Sequence, residues 1–139
     1  MILNPDCIRA VLLEVEKSWK IEEYDNVLQM GSINIEDLYK ALPKYSKADI
    51  FYAAYNLDQI GYLDLSITWA DGGIPYYCVI NHMNYAGREF LDQIRDNKHW
   101  GLIKKGLSAV GNYSLNAISA IAEGVTSAAI STFLSGDTL

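Results

Sequence analysis

Between Tyr45 and Ile80 the chain changes its hydrophobic period from that of a helix to that of strands, within a span that admits few folds. Ser46-Lys47-Ala48-Asp49 puts an acceptor side chain at a helix cap with an acidic residue three positions on. Helical spacing then aligns Ile50, Ala53, Ala54, Leu57 and Ile60 on one face, and Gly61 closes the helix. Alternation from Tyr62 to Trp69 predicts a strand, Asp71-Gly72-Gly73 a turn, and Ile74 to His82 a returning strand. Helix, strand, short turn and strand are the second half of a winged helix-turn-helix. The outward face of the helix, however, carries Ala48, Phe51, Tyr52, Tyr55 and Gln59, with no basic residue at its centre.

The flanking segments extend this plan. Asn4-Pro5-Asp6 reads as a helix start, with Asn4 as cap, Pro5 at the first helical position and Ile8, Val11, Leu12 and Val15 as the buried stripe to about Ser18. Trp19 to Met30 reads as extended or irregular, and is a candidate for the first, short strand of the wing sheet. Asn34 caps a second helix over Ile35, Leu38, Tyr39 and Leu42, stopped by Pro43. A fourth helix begins at Asn84 or Tyr85 and takes Phe90, Leu91, Ile94, Trp100 and Ile103 as its apolar side, with Gly101 as a point of interruption. Gly106 to Gly111 marks a break, after which Asn112 or Ser114 caps a last helix. The expected architecture is mainly α with a small β-hairpin, a winged helix-turn-helix over 1–82 followed by two C-terminal helices over 83–139.

Charge is distributed unevenly. The net charge is −6 and the isoelectric point about 4.7, the wrong sign for general attraction to phosphate. Residues 1–82 hold six Lys/Arg against twelve Asp/Glu, and residues 83–139 hold five of each, so the winged-helix half carries the whole imbalance. Cys7 and Cys78 form neither a disulfide framework nor a CxxC motif and read as buried thiols. Met1-Ile2-Leu3 runs into Asn4-Pro5-Asp6 with no basic start and no long apolar run, so no signal peptide and a cytoplasmic location are expected.

Asn4-Pro5-Asp6-Cys7-Ile8-Arg9 with Leu12-Leu13-Glu14, and the run from Tyr45-Ser46-Lys47 to Gly61-Tyr62-Leu63, resemble a phage- and prophage-associated family of unknown function. The strongest match is Tyr85-Ala86-Gly87-Arg88-Glu89-Phe90-Leu91-Asp92-Gln93-Ile94-Arg95-Asp96, with Trp100 after it. In that family the run reads Thr-Tyr-Glu-Gly-His-Glu-Phe-Leu-Asp-x-Ile-Arg-Asp, followed by a Trp and a Lys. Asn84 stands here for the Thr and Arg88 for the His, so any role of that His as base or ligand is missing from this chain. The resemblance covers nearly the whole chain, most loosely in the last helix. It implies a winged-helix-like fold encoded by mobile elements of mainly Gram-positive bacteria, and implies no activity.

The residues argue against catalysis and cofactors. Nucleophilic catalysis needs a nucleophile, a base and an orienting group in one pocket, and no motif sets a Ser or Cys beside His82 or His99. Cys78 and His82 share a strand face by period two, but a structural zinc takes four ligands, and a core or surface histidine is the simpler reading. Asp71-Gly72-Gly73 joins two strands and is not a phosphate loop, which joins a strand to a helix. In Gly87 to Asp96, Phe90, Leu91 and Ile94 are expected to anchor the helix to the wing sheet, with Gly87 passing close to a strand and Arg95 bridging back to Asp92.

Two uses of the winged helix remain. DNA binding would draw on Lys40, Lys44 and Lys47 around the helix-turn-helix turn for phosphate contacts, but Glu36, Asp37 and Asp49 oppose them and the wing tip offers Asp71. Protein binding would draw on Phe51, Tyr52, Tyr55 and Gln59, an uncharged aromatic set of the kind found at interface centres. The expected function is a non-enzymatic interaction or regulatory module with a protein partner; the alternative is a DNA-binding regulator. The last helix adds a second contact. Leu115, Ile118, Ala122, Val125, Ala129 and Phe133 form one stripe, while Ala120, Gly124 and Ala128 form a line of small residues. Leu115, Ile118, Gly124, Val125 and Ala128 are therefore the expected self-association residues of a homodimer. Glu123 in the middle and the absence of Lys or Arg argue against a membrane role.

Overall fold

The computed structural model describes residues 1–136. In chain order it contains α1 (Pro5–Ser18), β1 (Ile21–Tyr24), β2 (Val27–Met30), β3 (Ile33–Asn34), α2 (Ile35–Ala41) and α3 (Lys47–Gln59). The chain continues through β4 (Leu63–Ala70), β5 (Ile74–Met83), α4 (Tyr85–Ile94), α5 (Asn97–Val110) and α6 (Leu115–Leu134). The fold is mainly α with β-hairpins, as the periodicity predicts.

Short polar side chains start the helices by accepting a backbone N–H of the first turn. Asn4 accepts from Cys7, Asn34 from Glu36, Ser46 from Asp49, Asp96 from His99 and Ser114 from Ala117. Asn84 at the start of α4 is different, because its side-chain amide donates to the Gly61 carbonyl oxygen at 2.9 Å.

β4 and β5 pair antiparallel from Leu63↔Met83 to Ala70↔Ile74, with irregularities between Asp64 and Leu65 and between Thr68 and Trp69. β3 adds to the far side of β5 through Ile33↔Ile80 and Asn34↔Val79, giving the order β3-β5-β4. The short third strand therefore comes from Ile33–Asn34, not from Trp19 to Met30 as expected. Asp25 and Asn26 both adopt positive φ, 50° and 64°, the backbone of a two-residue hairpin turn that matches strand twist. That turn folds residues 21–30 back on themselves, from Ile21↔Met30 to Tyr24↔Val27, as a separate arm.

The expected fourth helix is two helices, so three helices follow the sheet rather than two. Asp96 is extended (ψ 129°) and caps α5, which ends the helical path after Arg95. Gly101 lies inside α5 and interrupts nothing; Gly106 also lies inside it and faces Ile121 of α6 closely. α5 ends at Gly111, whose φ of 72° suits a residue without a Cβ.

One core joins both halves of the chain. Ile8, Val11, Leu12 and Val15 of α1, Leu57 of α3 and Ile80 of β5 belong to the same buried cluster as Leu91, Ile94, Ile103, Leu107 and Ile118. Residue 82 is thus no boundary between separate cores. Phe90, Leu91 and Ile94 are buried as expected, but α4 packs mainly on α1, α5 and α6 rather than on the sheet. Phe90 stacks on Tyr62, with ring centroids 4.9 Å apart.

Polar ties cross the same seam. Arg9 of α1 donates to the carbonyl oxygens of Ile94 (2.8 Å) and Arg95 (2.6 Å) and to Asn97 Oδ1 (2.8 Å). Trp100 Nε1 donates to Asp6 at 2.8 Å, and Lys104 forms an ion pair with Asp6 at 3.2 Å.

Candidate interaction surface

α3 buries Ile50, Ala53, Ala54 and Leu57, so helical geometry turns Ala48, Tyr52, Tyr55 and Gln59 away from the core. Phe51 lies on the flank toward β4. Its ring stacks on Tyr55 with centroids 6.1 Å apart and meets Trp69 of β4 edge-on at 6.3 Å. Asp58 ties the same flank by accepting the Leu65 N–H at 2.9 Å, satisfying a donor on the outer edge of β4. Trp69 is half exposed, and Ile74, Tyr76 and Tyr77 at the hairpin tip are exposed as well. The aromatic contact therefore runs from Tyr55 and Phe51 of α3 to Trp69 on the β4–β5 hairpin.

The opposite flank borders a hollow. Tyr52, Asn56 and Gln59 line a hollow of about 520 Å³ with Ile2 and Leu3 of the N-terminus and with Tyr113 and Asn116 at the start of α6. Asn56 is held by donating to the Tyr52 carbonyl oxygen at 2.8 Å. Of the four expected partner-binding residues, Gln59 is exposed while Phe51, Tyr52 and Tyr55 are half-buried. The structure brings all four onto one helix, but divides them between an aromatic flank and a polar hollow. Trp69 extends this surface onto β4 and was not singled out from sequence. The signal lay in the apolar residues flanking Asp71-Gly72-Gly73, on strands too far from the core to bury them.

Lys40, Lys44 and Lys47 are all exposed around the α2–α3 turn. Lys47 lies 3.9 Å from Glu36 and over the Tyr39 ring at 5.5 Å, and Lys44 lies over the Tyr45 ring at 5.7 Å. Two of the three cations thus already have local partners, though exposed contacts of this kind are weak.

Burial pushes the Cys7 thiol up to about 11, with Asp49 adding to the effect, and pushes Cys78 up to about 11, with Asp58 adding. Thiols in such surroundings stay protonated and react poorly. His82 lies 3.9 Å from Asp64, and among the described residues no three His, Cys, Asp or Glu side chains converge as a metal would require.

The five expected self-association residues separate along α6. Leu115 and Ile118 are buried in the chain's own core, where the first half of α6 packs against α4 and α5. Val125 is half-buried, while Gly124 and Ala128 are exposed, and nothing lies within 4 Å of where a Cβ on Gly124 would sit. Farther along, Ile130, Phe133 and Leu134 are 55%, 80% and 77% exposed. Among the described residues α6 is the one helix long and apolar enough, by length and composition, to cross a membrane.

Residues 2–113 match the model of a family described as hypothetical protein, DUF2513, and the chain belongs to that family. The match takes in α1 to α5 with both hairpins and stops before α6. No curated protein and no solved structure matches the chain.

Proposed function

We propose that this chain is a winged-helix interaction module, encoded by a phage or prophage and acting in the bacterial cytoplasm, that binds a protein partner through α3 and the β4–β5 hairpin. The element order α1-β3-α2-α3-β4-β5 and the sheet order β3-β5-β4 support the winged-helix reading, with α3 as the second helix of the helix-turn-helix and β4–β5 as the wing. The phage or prophage origin rests on the resemblance of the Gly87 to Asp96 motif and the N-terminal run. The proposed role is non-enzymatic, a reading supported by the lack of any nucleophile–base pairing in the sequence.

One observation carries the choice of a protein partner: the continuous aromatic contact of Tyr55, Phe51 and Trp69. Aromatic side chains of this kind dominate protein interfaces. A helix that enters the major groove of DNA also needs clear flanks, and α3 has the N-terminus and the start of α6 against one of them. Lys40, Lys44 and Lys47 at the α2–α3 turn support the alternative, a DNA-binding regulator.

The test is affinity capture from bacterial lysate with the wild-type chain and a Tyr55→Ser/Trp69→Ser variant, run beside a genomic DNA-binding selection. The expected result is a defined protein that binds the wild type and is lost with the variant. Micromolar duplex binding that falls steeply with salt, and is abolished by Lys44→Glu/Lys47→Glu, would establish the DNA-binding alternative instead.

A further inference from the structure

We propose that the cleft between the end of α1, the β1–β2 arm, the end of β5 and the start of α4 binds a small amphipathic carboxylate, one ring or short apolar chain bearing a single carboxyl group. This site shares no lining residue with the α3 surface and does not depend on the function proposed for it.

Size comes first. The cleft holds about 360 Å³, near the lower end of the range for small-molecule sites, which suits a single ring or a short chain. Its apolar walls are Val15, Trp19, Met30, Met83 and Tyr85. The Trp19 indole N–H donates to the carbonyl oxygens of Gly31 (3.0 Å) and Asn81 (2.7 Å), which fixes the ring before any ligand arrives. The two methionines give the walls an adaptable surface, since an unbranched thioether fits many apolar shapes.

Charge selects the head group. Arg88 is the one Lys or Arg in the lining, and its guanidinium donates a long hydrogen bond of 3.3 Å to the Met83 carbonyl oxygen. Among the described residues no carboxylate forms an ion pair with it. Glu16 also lines the cleft, and both of its oxygens accept hydrogen bonds from Arg95 at 2.7 Å, which holds its carboxylate toward an arginine that Asp92 shares. His82 faces Asp64 across the strands. A guanidinium fork beside an apolar wall suits a carboxylate, whose oxygens it can contact in pairs. A phosphate dianion would bring a second charge with no second full cation in the lining to meet it.

The experiment titrates the full chain with octanoate, octan-1-ol and octyl phosphate by calorimetry, for the wild type and Arg88→Met. Octanoate is expected to bind below ~1 mM, with octan-1-ol at least about tenfold weaker. Arg88→Met is expected to bring octanoate to the level of the alcohol and leave the alcohol unchanged. Arg88→Gln supplies the same reading if the methionine variant fails a circular-dichroism check of folding. No binding of octanoate at about 10 mM, equal affinity for acid and alcohol, tighter binding of octyl phosphate, or unaltered octanoate affinity in the folded Arg88 variant would each overturn the proposal.

Discussion

Gly87 of α4 lies against the carbonyl oxygen of Tyr62, the residue leading into β4, so closely that a methyl group on Gly87 would overlap it. The same oxygen accepts the Asn84 N–H at 2.9 Å, which fastens the end of the α3–β4 turn to the start of α4. The glycine serves this close approach and not an unusual φ. Gly87→Ala is expected to destabilise the fold by about 3 kcal/mol, read as a lower urea midpoint, because backbone on both sides must move. Gly101→Ala is the matched control. Nothing lies within 4 Å of its Cβ position, so alanine there is expected to stabilise α5 by about 0.5–1 kcal/mol. Equal effects of the two substitutions would refute the steric account.

Arg9 and Arg95 both bridge α1 to the α4–α5 region, and the structure ranks them. Arg9 satisfies two backbone carbonyls at the end of α4 and stands 5.8 Å from the Trp100 ring. Arg9→Met leaves those acceptors without a protein donor and is expected to cost about 2 kcal/mol. Arg95 and Glu16 are each 42% exposed at the side chain, and Arg95→Met is expected to cost less than about 1 kcal/mol. Denaturation with unchanged m-values would measure both. A larger loss from Arg95→Met would reverse the ranking.

Acid is expected to weaken the seam between α1 and α5. At Asp6 burial acts upward, but hydrogen bonds from Trp100 and Lys104, with the Lys104 charge, outweigh it and hold the carboxyl below its ordinary 3.8. The Arg95 hydrogen bonds hold Glu16 below its ordinary 4.5. Groups depressed on folding contribute stability that is complete above the ordinary value and is lost as pH falls through the folded value. Unfolding free energies are therefore expected to fall below pH 4.5 and more steeply below 3.8. Asp6→Asn is expected to reduce that slope; an unchanged slope would remove Asp6 from the account.

Alkali acts through the thiols with the opposite sign. Cys7 and Cys78 have folded values near 11 against an ordinary 9.0, so their contribution is complete below pH 9.0 and is lost as pH rises toward 11. At pH 8 neither thiol is expected to react with a disulfide reagent until urea unfolds the chain, when both react. Rapid labelling of either one in the native protein would contradict its burial.

Much of the helical plan was legible because its signals are local. Caps at Asn4, Asn34 and Ser46 stand directly before apolar stripes, and α1, α2 and α3 start beside them. The break at Asp96 was legible only as a slip in phase, since Trp100 and Ile103 fall about 120° and about 180° away from Ile94 on a continuous helix; the capping of His99 and the reach of Arg9 show where the path turns. The arm was obscured for another reason. Ile21, Tyr24, Val27 and Leu28 look like core strand residues, and their exposure depends on where Trp19 fixes the chain. The α3 residues were found by periodicity, whereas the cleft under Arg88 joins α1, β2, β5 and α4 and leaves no spacing to read.

The free end of α6 leads to the last prediction, a homodimer. Leu115, Ile118 and Ala122 fix the first half of the helix in the core. From Glu123 to Leu134 the helix extends about 18 Å with no further charge, too short to span the ~30 Å hydrocarbon core of a bilayer unless the first half leaves the protein. The segment also lacks the Lys and Arg that hold a surface helix on lipid headgroups. A second copy of the same helix meets it without charge repulsion, and the line of Gly124 and Ala128 lets the two backbones approach. Leucine at Gly124 projects into open space within one chain and is a better helix former than glycine, so Gly124→Leu is expected to keep the chain folded while weakening association. Phe133→Asp, at a side chain 80% exposed in the single chain, is expected to do the same. Sedimentation equilibrium would show a wild-type dimer and variants shifted toward monomer. A wild-type monomer at high protein concentration, or a dimer indifferent to both substitutions, would rule out pairing through α6.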